Sequence, residues 1–139
     1  MRTNEDIEGY LIEMGMPFEM LDEGLWSLND EEDGVENLVI MHSPPIVVFR
    51  VKLMEIPEGD HEDLYEQLLK LNGTEMVAGA YGIEEGHVVI VDTLQSENLD
   101  FNEFQASIES ITMAVAEHYP ILSGFRKKVT EKKEEAADQ

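Results

Sequence analysis

Cysteine is absent from this chain of 139 residues, which excludes disulfide bonds, a thiolate nucleophile and cysteine-bound zinc or iron–sulfur centres. Long apolar runs are absent too. The longest have four residues, as in Leu38–Met41, whereas a membrane-spanning helix needs about 20. The first residues turn acidic at once and lack the apolar segment of a signal peptide. We therefore expect a cytoplasmic protein that does not enter a membrane.

Basic residues are scarce, with 9 Lys and Arg against 31 Asp and Glu, so the formal net charge is −22. Residues 126–139 hold five of the nine basic residues and four of the acids, which leaves four basic and 27 acidic residues in 1–125. Such a charge repels phosphate, so we expect neither direct nucleic-acid binding nor attachment to an anionic membrane. Two interpretations stay open. The charge either keeps the protein soluble, or it makes the protein an acidic charge-mimic regulator of a nucleic-acid-binding protein.

Motifs that carry chemistry are also missing. The chain has no HExxH or His-x-His spacing, no glycine-rich phosphate loop and no nucleophile elbow. The only mixed cluster of histidine and acids is Asp60-His61-Glu62-Asp63, whose adjacent side chains point in different directions and suit a helix start. We therefore expect no enzymatic activity, no catalytic residues, no cofactor and no metal. A module that binds a metal or small ligand through its carboxylates remains an alternative.

The first half of the chain shows one helix followed by strands. Apolar residues recur three and four apart over residues 4–14, with Thr3 as the N-cap and Gly15 after the last turn, which predicts an amphipathic helix. Residues 18–28 predict a broken strand with Gly24 at a bulge. Residues 36–43 and 46–54 predict two antiparallel strands, joined by a turn that contains two prolines.

The second half predicts a helix, a hairpin and a final helix. The helix over 62–71 ends at Asn72 and Gly73, and strands over 76–81 and 87–93 form the hairpin. A capping box at Asp100 opens the last helix, which ends or kinks at Pro120. The order α-β-β-β-α-β-β-α defines an α+β fold with an antiparallel sheet packed with helices. We expect one domain over 1–124 and a charged, disordered or frayed tail over 125–139.

Two predicted elements carry more apolar residues than one packed face needs. On the strand over 46–54, odd positions share one face, and the other face holds Ile46, Val48, Arg50, Lys52 and Met54. One face can pack against helices, which leaves the other for a partner or a dimer mate. Arg50 and Lys52 either pair with nearby acids or contact that partner. The helix over 61–72 likewise has a wide apolar arc, which fits a deep core position or a contact with a second subunit.

Three stretches resemble the Tir-chaperone-like superfamily, which comprises the type III secretion chaperones and the YbjN-like bacterial sensory transduction regulators. Leu68-Leu69-Lys70-Leu71-Asn72 resembles the LLxLN that ends the second helix of the family. The hairpin Gly79–Val91 and the helix start Leu99–Phe104 are similar to the stretches that follow it. The resemblance covers residues 4–122 and implies a secretion-chaperone-like fold.

The same resemblance implies a small, acidic, cytoplasmic homodimer without cofactor or catalysis that acts as a chaperone or regulatory adaptor. Its partner would be another protein, held as an extended or partly unfolded segment. The residues implied for partner binding are Ile7, Leu11 and Met14 on the first helix and Val48, Arg50 and Met54 on the sheet. Those implied for the dimer interface are Leu64, Tyr65 and Leu68. On this hypothesis Leu11→Asp abolishes partner capture and leaves the fold intact.

Overall fold

The computed structural model describes residues 2–30 and 35–137. In this part of the chain, three helices and six strands follow one another as α1 (Asn4–Met14), β1 (Phe18–Asp22), β2 (Leu25–Asp30), β3 (Val35–Ser43), β4 (Ile46–Glu55), α2 (Glu62–Thr74), β5 (Ala80–Glu84), β6 (His87–Gln95) and α3 (Phe101–Ala137). The strands form one antiparallel sheet in the order β1-β2-β3-β4-β6-β5. This confirms the predicted α+β fold with an antiparallel sheet packed with helices.

The core lies between one face of the sheet and the three helices. Alternate residues of the central strands, such as Trp26 and Phe49, are buried on this side, which we call the inner face. Phe49 meets Phe104 of α3 with ring centroids 5.4 Å apart, and Tyr10 of α1 lies 5.5 Å from the same ring. The apolar stripes of α1, α2 and α3 all belong to this core, so the opposite, outer face of the sheet has none of these stripes packed on it.

Helix α1 has the ends that the sequence predicts. The Thr3 side chain accepts a hydrogen bond from the backbone N–H of Asp6, and the Asp6 carboxylate accepts one from the backbone N–H of Thr3. Gly15 closes the helix with φ of 72° in the left-handed region. Local signals alone define this helix.

The prediction of one broken strand over residues 18–28 is wrong, because these residues form the hairpin of β1 and β2. Gly24 has φ of 73° and lies in the turn, where its carbonyl accepts a 2.8 Å hydrogen bond from the backbone N–H of His42. A Cβ at this position would lie 3.1 Å from the carbonyl oxygen of His42. Both the backbone conformation and the close approach favour glycine. The sheet therefore gains one strand over the predicted order.

Helix α2 passes through Asn72 and Gly73, where the sequence predicted its end, and continues to Thr74. The Asn72 side chain is used in a tertiary contact instead. Its Oδ1 accepts from the backbone N–H of Tyr81 at 2.6 Å and its Nδ2 donates to the carbonyl of Tyr81 at 3.1 Å. These two bonds join α2 to β5, which begins at Ala80 rather than at residue 76.

The sequence predicted that the last helix ends or kinks at Pro120. Helix α3 does not end there but continues to Ala137, with Pro120 inside it. A proline inside a helix removes one backbone hydrogen bond and costs about 3 kcal/mol. Beyond it Leu122 is buried and Phe125 packs against the core, and this packing favours continuation of the helix. The predicted domain boundary after residue 124 stays a prediction, and residues 138–139 of the predicted tail lie outside the described residues.

Candidate functional site

Two rows of side chains cross the centre of the outer face. Strand pairing aligns four residues in each row. We call these two sets the outer rows: Leu25, Met41, Val48 and Thr93 in the first, and Ser27, Val39, Arg50 and Val91 in the second.

Apolar side chains dominate the outer rows, although no helix stripe covers them. Met41 is 41% exposed, and Leu25, Val39, Val48 and Val91 are half-buried. An antiparallel sheet with one solvated face normally places polar residues there. A contiguous uncovered apolar area typically marks a site of interaction with another molecule.

Acidic residues are excluded from the outer rows. The chain has 31 Asp and Glu among 139 residues, yet none of the eight row positions is acidic. Acids occur instead at the two ends of the outer face. Glu19 and Asp22 of β1 are aligned with Ser27 and Leu25 at one end. Glu55 of β4 and Glu84 of β5 are both aligned with His87 at the other. We call the four acids Glu19, Asp22, Glu55 and Glu84 the acidic rim.

The two cations of this face pair with acids of their own chain. Arg50 Nε lies 3.2 Å from Glu84 Oε2, and Lys52 Nζ lies 3.7 Å from Glu85 Oε2. Of the two interpretations left open by the sequence, internal pairing is the arrangement in the folded chain. The Lys52–Glu85 pair is exposed, and exposed ion pairs contribute roughly 0–1 kcal/mol. An incoming partner could therefore exchange this pair at small cost, whereas Arg50 and Glu84 are half-buried.

Met54 was predicted to share a face with Val48 and Arg50, and the structure places it in the core instead. Pairing with β6 shifts between Lys52 and Met54, so Leu53 is an extra residue on β4. This β-bulge reverses the alternation beyond it. Met54 is buried with 7% exposure on the inner face, whereas Val48 and Arg50 stay on the outer face as predicted.

The helix residues predicted to bind a partner also lie inward. Ile7 and Leu11 are fully buried in the core, and Met14 is half-buried against it. The folded chain therefore offers neither Ile7 nor Leu11 for direct contact. On α1 the exposed apolar residue is Ile12, at 67%.

The predicted dimer residues are divided in the same way. Leu64 and Leu68 of α2 are buried in the core, and Tyr65 is half-buried, with its hydroxyl 3.4 Å from Nδ1 of His61. The exposed apolar residue of α2 is Leu69, at 70%. The apolar arc of α2 is wide enough that periodicity alone could not tell its inner side from its outer side.

Sequence reasoning missed four of the five apolar members of the outer rows: Leu25, Val39, Met41 and Val91. Each belongs to a strand whose alternation is visible in the sequence. Their common row depends on the register between strands, which only the paired sheet defines.

Polar groups inside the core serve packing between elements. Nδ1 of His42 lies 2.6 Å from Oδ1 of Asn4 and ties the sheet to the start of α1. Nδ1 of His118 on α3 lies 2.6 Å from the hydroxyl of Tyr81 on β5. Burial lowers the pKa of His42 and raises that of Tyr81. Among the described residues no group of three or more His, Asp or Glu is placed to hold a metal ion, and no helix is long and apolar enough to cross a membrane.

An open antiparallel sheet with helices on one face and the order seen here is the fold of the type III secretion chaperones and YbjN-like proteins. The chain belongs to the CesT_Tir_1 family, whose model matches residues 1–128. A search of curated protein sequences finds no match to the chain.

Solved structures show the same fold at low sequence identity. YbjN from E. coli is similar with a TM-score of 0.66 and 16% identity, over 87% of this chain and 94% of that one. A chain of the heterodimeric ExoU–SpcU complex from the type III secretion system of Pseudomonas aeruginosa has a TM-score of 0.66 and 16% identity, over 82% and 95%. A chain of the HopA1–SchA chaperone–effector complex has a TM-score of 0.59 and 12% identity, over 81% and 91%.

Proposed function

We propose that this protein is a non-enzymatic protein-binding module, a chaperone or adaptor, whose partner docks on the outer rows. The observation that carries the proposal is the apolar, acid-free centre of the outer face in a chain of net charge −22. Family membership supports it, since one similar structure is a heterodimeric complex from a type III secretion system and another is a chaperone–effector complex. The type III secretion context belongs to the first of these proteins. For this chain we propose the binding mode alone.

The outer rows suit an extended or partly unfolded segment of the partner. Neighbouring side chains within a row are about 5 Å apart, so a strand-like segment lying on the sheet meets several of them with alternate residues. The outer-face position of Val48 and Arg50 supports the partner-binding role that the family resemblance implies for them, and we add Val39 and Met41 to this set. Ile7, Leu11 and Met54 support the site indirectly because they hold the helices on the inner face.

The test compares two glutamate substitutions of exposed methionines. Met41→Glu places an acid in the outer rows, and Met113→Glu places one on α3, where Met113 is 57% exposed. Partners are captured from a native lysate with the tagged full chain, at two salt concentrations. We expect one protein to survive high salt with the unchanged chain and with Met113→Glu, and to be lost with Met41→Glu.

Equal capture by both variants would contradict docking on the outer rows. Capture of only basic proteins that wash off with salt would instead support the charge-mimic interpretation, because exposed ionic contacts are screened while apolar burial is not. Thermal melting of each variant checks that the fold is retained.

We also propose a homodimer, with α2 in the interface as the family resemblance implies. Burial of Leu64 and Leu68 moves the expected contact to Leu69 and Tyr65. Light scattering during gel filtration should give twice the chain mass for the unchanged protein and the single mass for Leu69→Glu. Ile83→Glu on β5 is the control, since Ile83 is 52% exposed and lies outside α2. A single mass for the unchanged protein would refute the dimer.

A further inference from the structure

The chemistry of the outer face extends beyond its apolar centre, because the acidic rim flanks the outer rows on two sides. Glu19 and Asp22 lie at the β1 end of the rows, and Glu55 and Glu84 lie beyond the row of Lys52 and Val89, at the strand ends next to His87. We infer that the preferred partner segment has an apolar centre flanked by basic residues. This inference rests on the proposed function and deepens it by naming the class of partner. It follows from three features: the apolar rows, the unpaired acids of the rim and the repulsion between acidic rims.

The apolar rows define the centre of the segment. Five of their eight side chains are apolar, and the three others are Ser27, Arg50 and Thr93. Among the described residues of this face, the basic partners open to an acidic side chain are Arg50 and Lys52, which already pair with Glu84 and Glu85. Apolar residues bury their surface here without leaving a charge unpaired.

The acidic rim defines the flanks. Glu19, Asp22 and Glu55 are exposed and, among the described residues, form no ion pair. Glu84 is paired, yet only with the half-buried Arg50. Basic residues on either side of the apolar centre would therefore meet unpaired carboxylates at the β1 end and at the end formed by β4 and β5.

The acidic rim disfavours other occupants of the same face. Two copies joined through their outer faces would bring two acidic rims together, whereas a dimer through α2 keeps the rims apart. Such like-charge contacts are unfavourable and would act against this dimer. An acidic segment meets the same repulsion. The rim thus selects a basic-flanked segment over a second copy of the chain.

The experiment uses two fluorescent peptides of about a dozen residues. Both have the same centre of alternating valine and threonine. One carries two lysines at each end, the other two glutamates. Fluorescence anisotropy with the full chain should show the lysine-flanked peptide binding at least about tenfold more tightly at low salt. The preference should shrink as salt rises, because screening weakens the contacts with the rim and leaves the apolar contacts.

Matched charge reversals locate the effect. Glu19→Lys with Asp22→Lys changes the rim, and Glu103→Lys with Glu109→Lys makes the same change of net charge on exposed positions of α3. We expect the rim variant to reduce the preference for lysine flanks several-fold more than the α3 variant does. Equal effects of the two variants would overturn the inference, because attraction would then follow from net charge alone.

A third variant separates the inference from the proposed function. If Met41→Glu abolishes binding while both peptides bind the unchanged chain equally, docking on the outer rows stands and the basic-flank inference falls. If Met41→Glu leaves binding of the lysine-flanked peptide unchanged, the outer rows are not the site and both fail. Absence of binding by the lysine-flanked peptide up to about 1 mM also overturns the inference, since it would then lack even the weakest useful affinity.

Discussion

Adjacent residues on α1 provide a direct test of how the helix packs. Leu11 is fully buried and Ile12, the next residue, is 67% exposed. We predict that Leu11→Ala strongly destabilises the fold and that Ile12→Ala does not. The prediction reverses the expectation drawn from family resemblance, in which Leu11→Asp abolishes partner capture and leaves the fold intact.

The expected size follows from burial. Truncating a fully buried leucine to alanine costs about 2–5 kcal/mol, because the lost contacts leave a cavity. Domains of this size unfold at a cost of about 5–15 kcal/mol, so the change removes a large share of the total. With a urea dependence of about 2 kcal/mol per molar, the middle of the usual range, the unfolding midpoint should fall by roughly 1–2.5 M. Ile12→Ala should stay within about 0.5 kcal/mol, as surface substitutions usually do.

The assay is urea unfolding followed by circular dichroism and by the fluorescence of Trp26, the only tryptophan. Coincident curves from the two signals would support a two-state transition. Leu11→Asp should leave little folded protein, because it puts an unpaired carboxylate in the core. Equal, small shifts for Leu11→Ala and Ile12→Ala would refute this packing of α1 and would return Leu11 to the list of surface contacts.

Three further predictions concern the polar and backbone features of the core. Tyr81→Phe should cost about 1–3 kcal/mol in urea unfolding, because it leaves buried Nδ1 of His118 without its partner. Burial lowers the pKa of His42, so the unfolded chain binds that proton more readily than the folded one. The contribution of neutral His42 to the free energy of unfolding should be fully present above about pH 6.5 and be lost as the pH falls. The melting temperature of His42→Gln should therefore fall less between pH 7.5 and 5.5 than that of the unchanged chain. Gly79→Ala should lower the melting temperature more than Gly86→Ala does. Both glycines have positive φ, but only at Gly79 would a Cβ lie 3.0 Å from a backbone oxygen of β6. Equal shifts for the two glycine variants, or an unchanged pH response in His42→Gln, would contradict the respective arguments.

Elements with local signals could be predicted from the sequence, and those that depend on tertiary contacts could not. The capping box of Thr3 and Asp6 defines α1 within a few residues, and the same holds for the turn between β5 and β6. The sequence did not decide whether Gly24 lies at a bulge or in a turn, because a glycine with positive φ suits both equally well. Asn72 suggested a helix end, yet its side chain bonds to Tyr81 nine residues away, which no local pattern reveals.

The candidate site was predictable in part for the same reason. The two-residue alternation along β4 correctly put Val48 and Arg50 on one face. It failed at Met54 because alternation in the sequence does not reveal the extra residue of a β-bulge. Apolar periodicity found the helix faces that carry Leu11 and Leu64, but it does not say whether an apolar face meets the core or a partner. The outer rows could be identified only from the pairing register of β2, β3, β4 and β6, which the sequence does not give.

The bulge of β4 also decides which face of the sheet each residue beyond it points to. In a regular strand, Met54 would point to the outer face and Glu55 would point toward the helices, where its charge has no place. The extra residue Leu53 exchanges the two, so that a methionine seals the core and a carboxylate stands at the border of the outer face. Leu53 itself also packs against the core. A single inserted residue therefore sets where the apolar surface stops and the charged surface starts, and homologues without it would need a different residue order after Lys52.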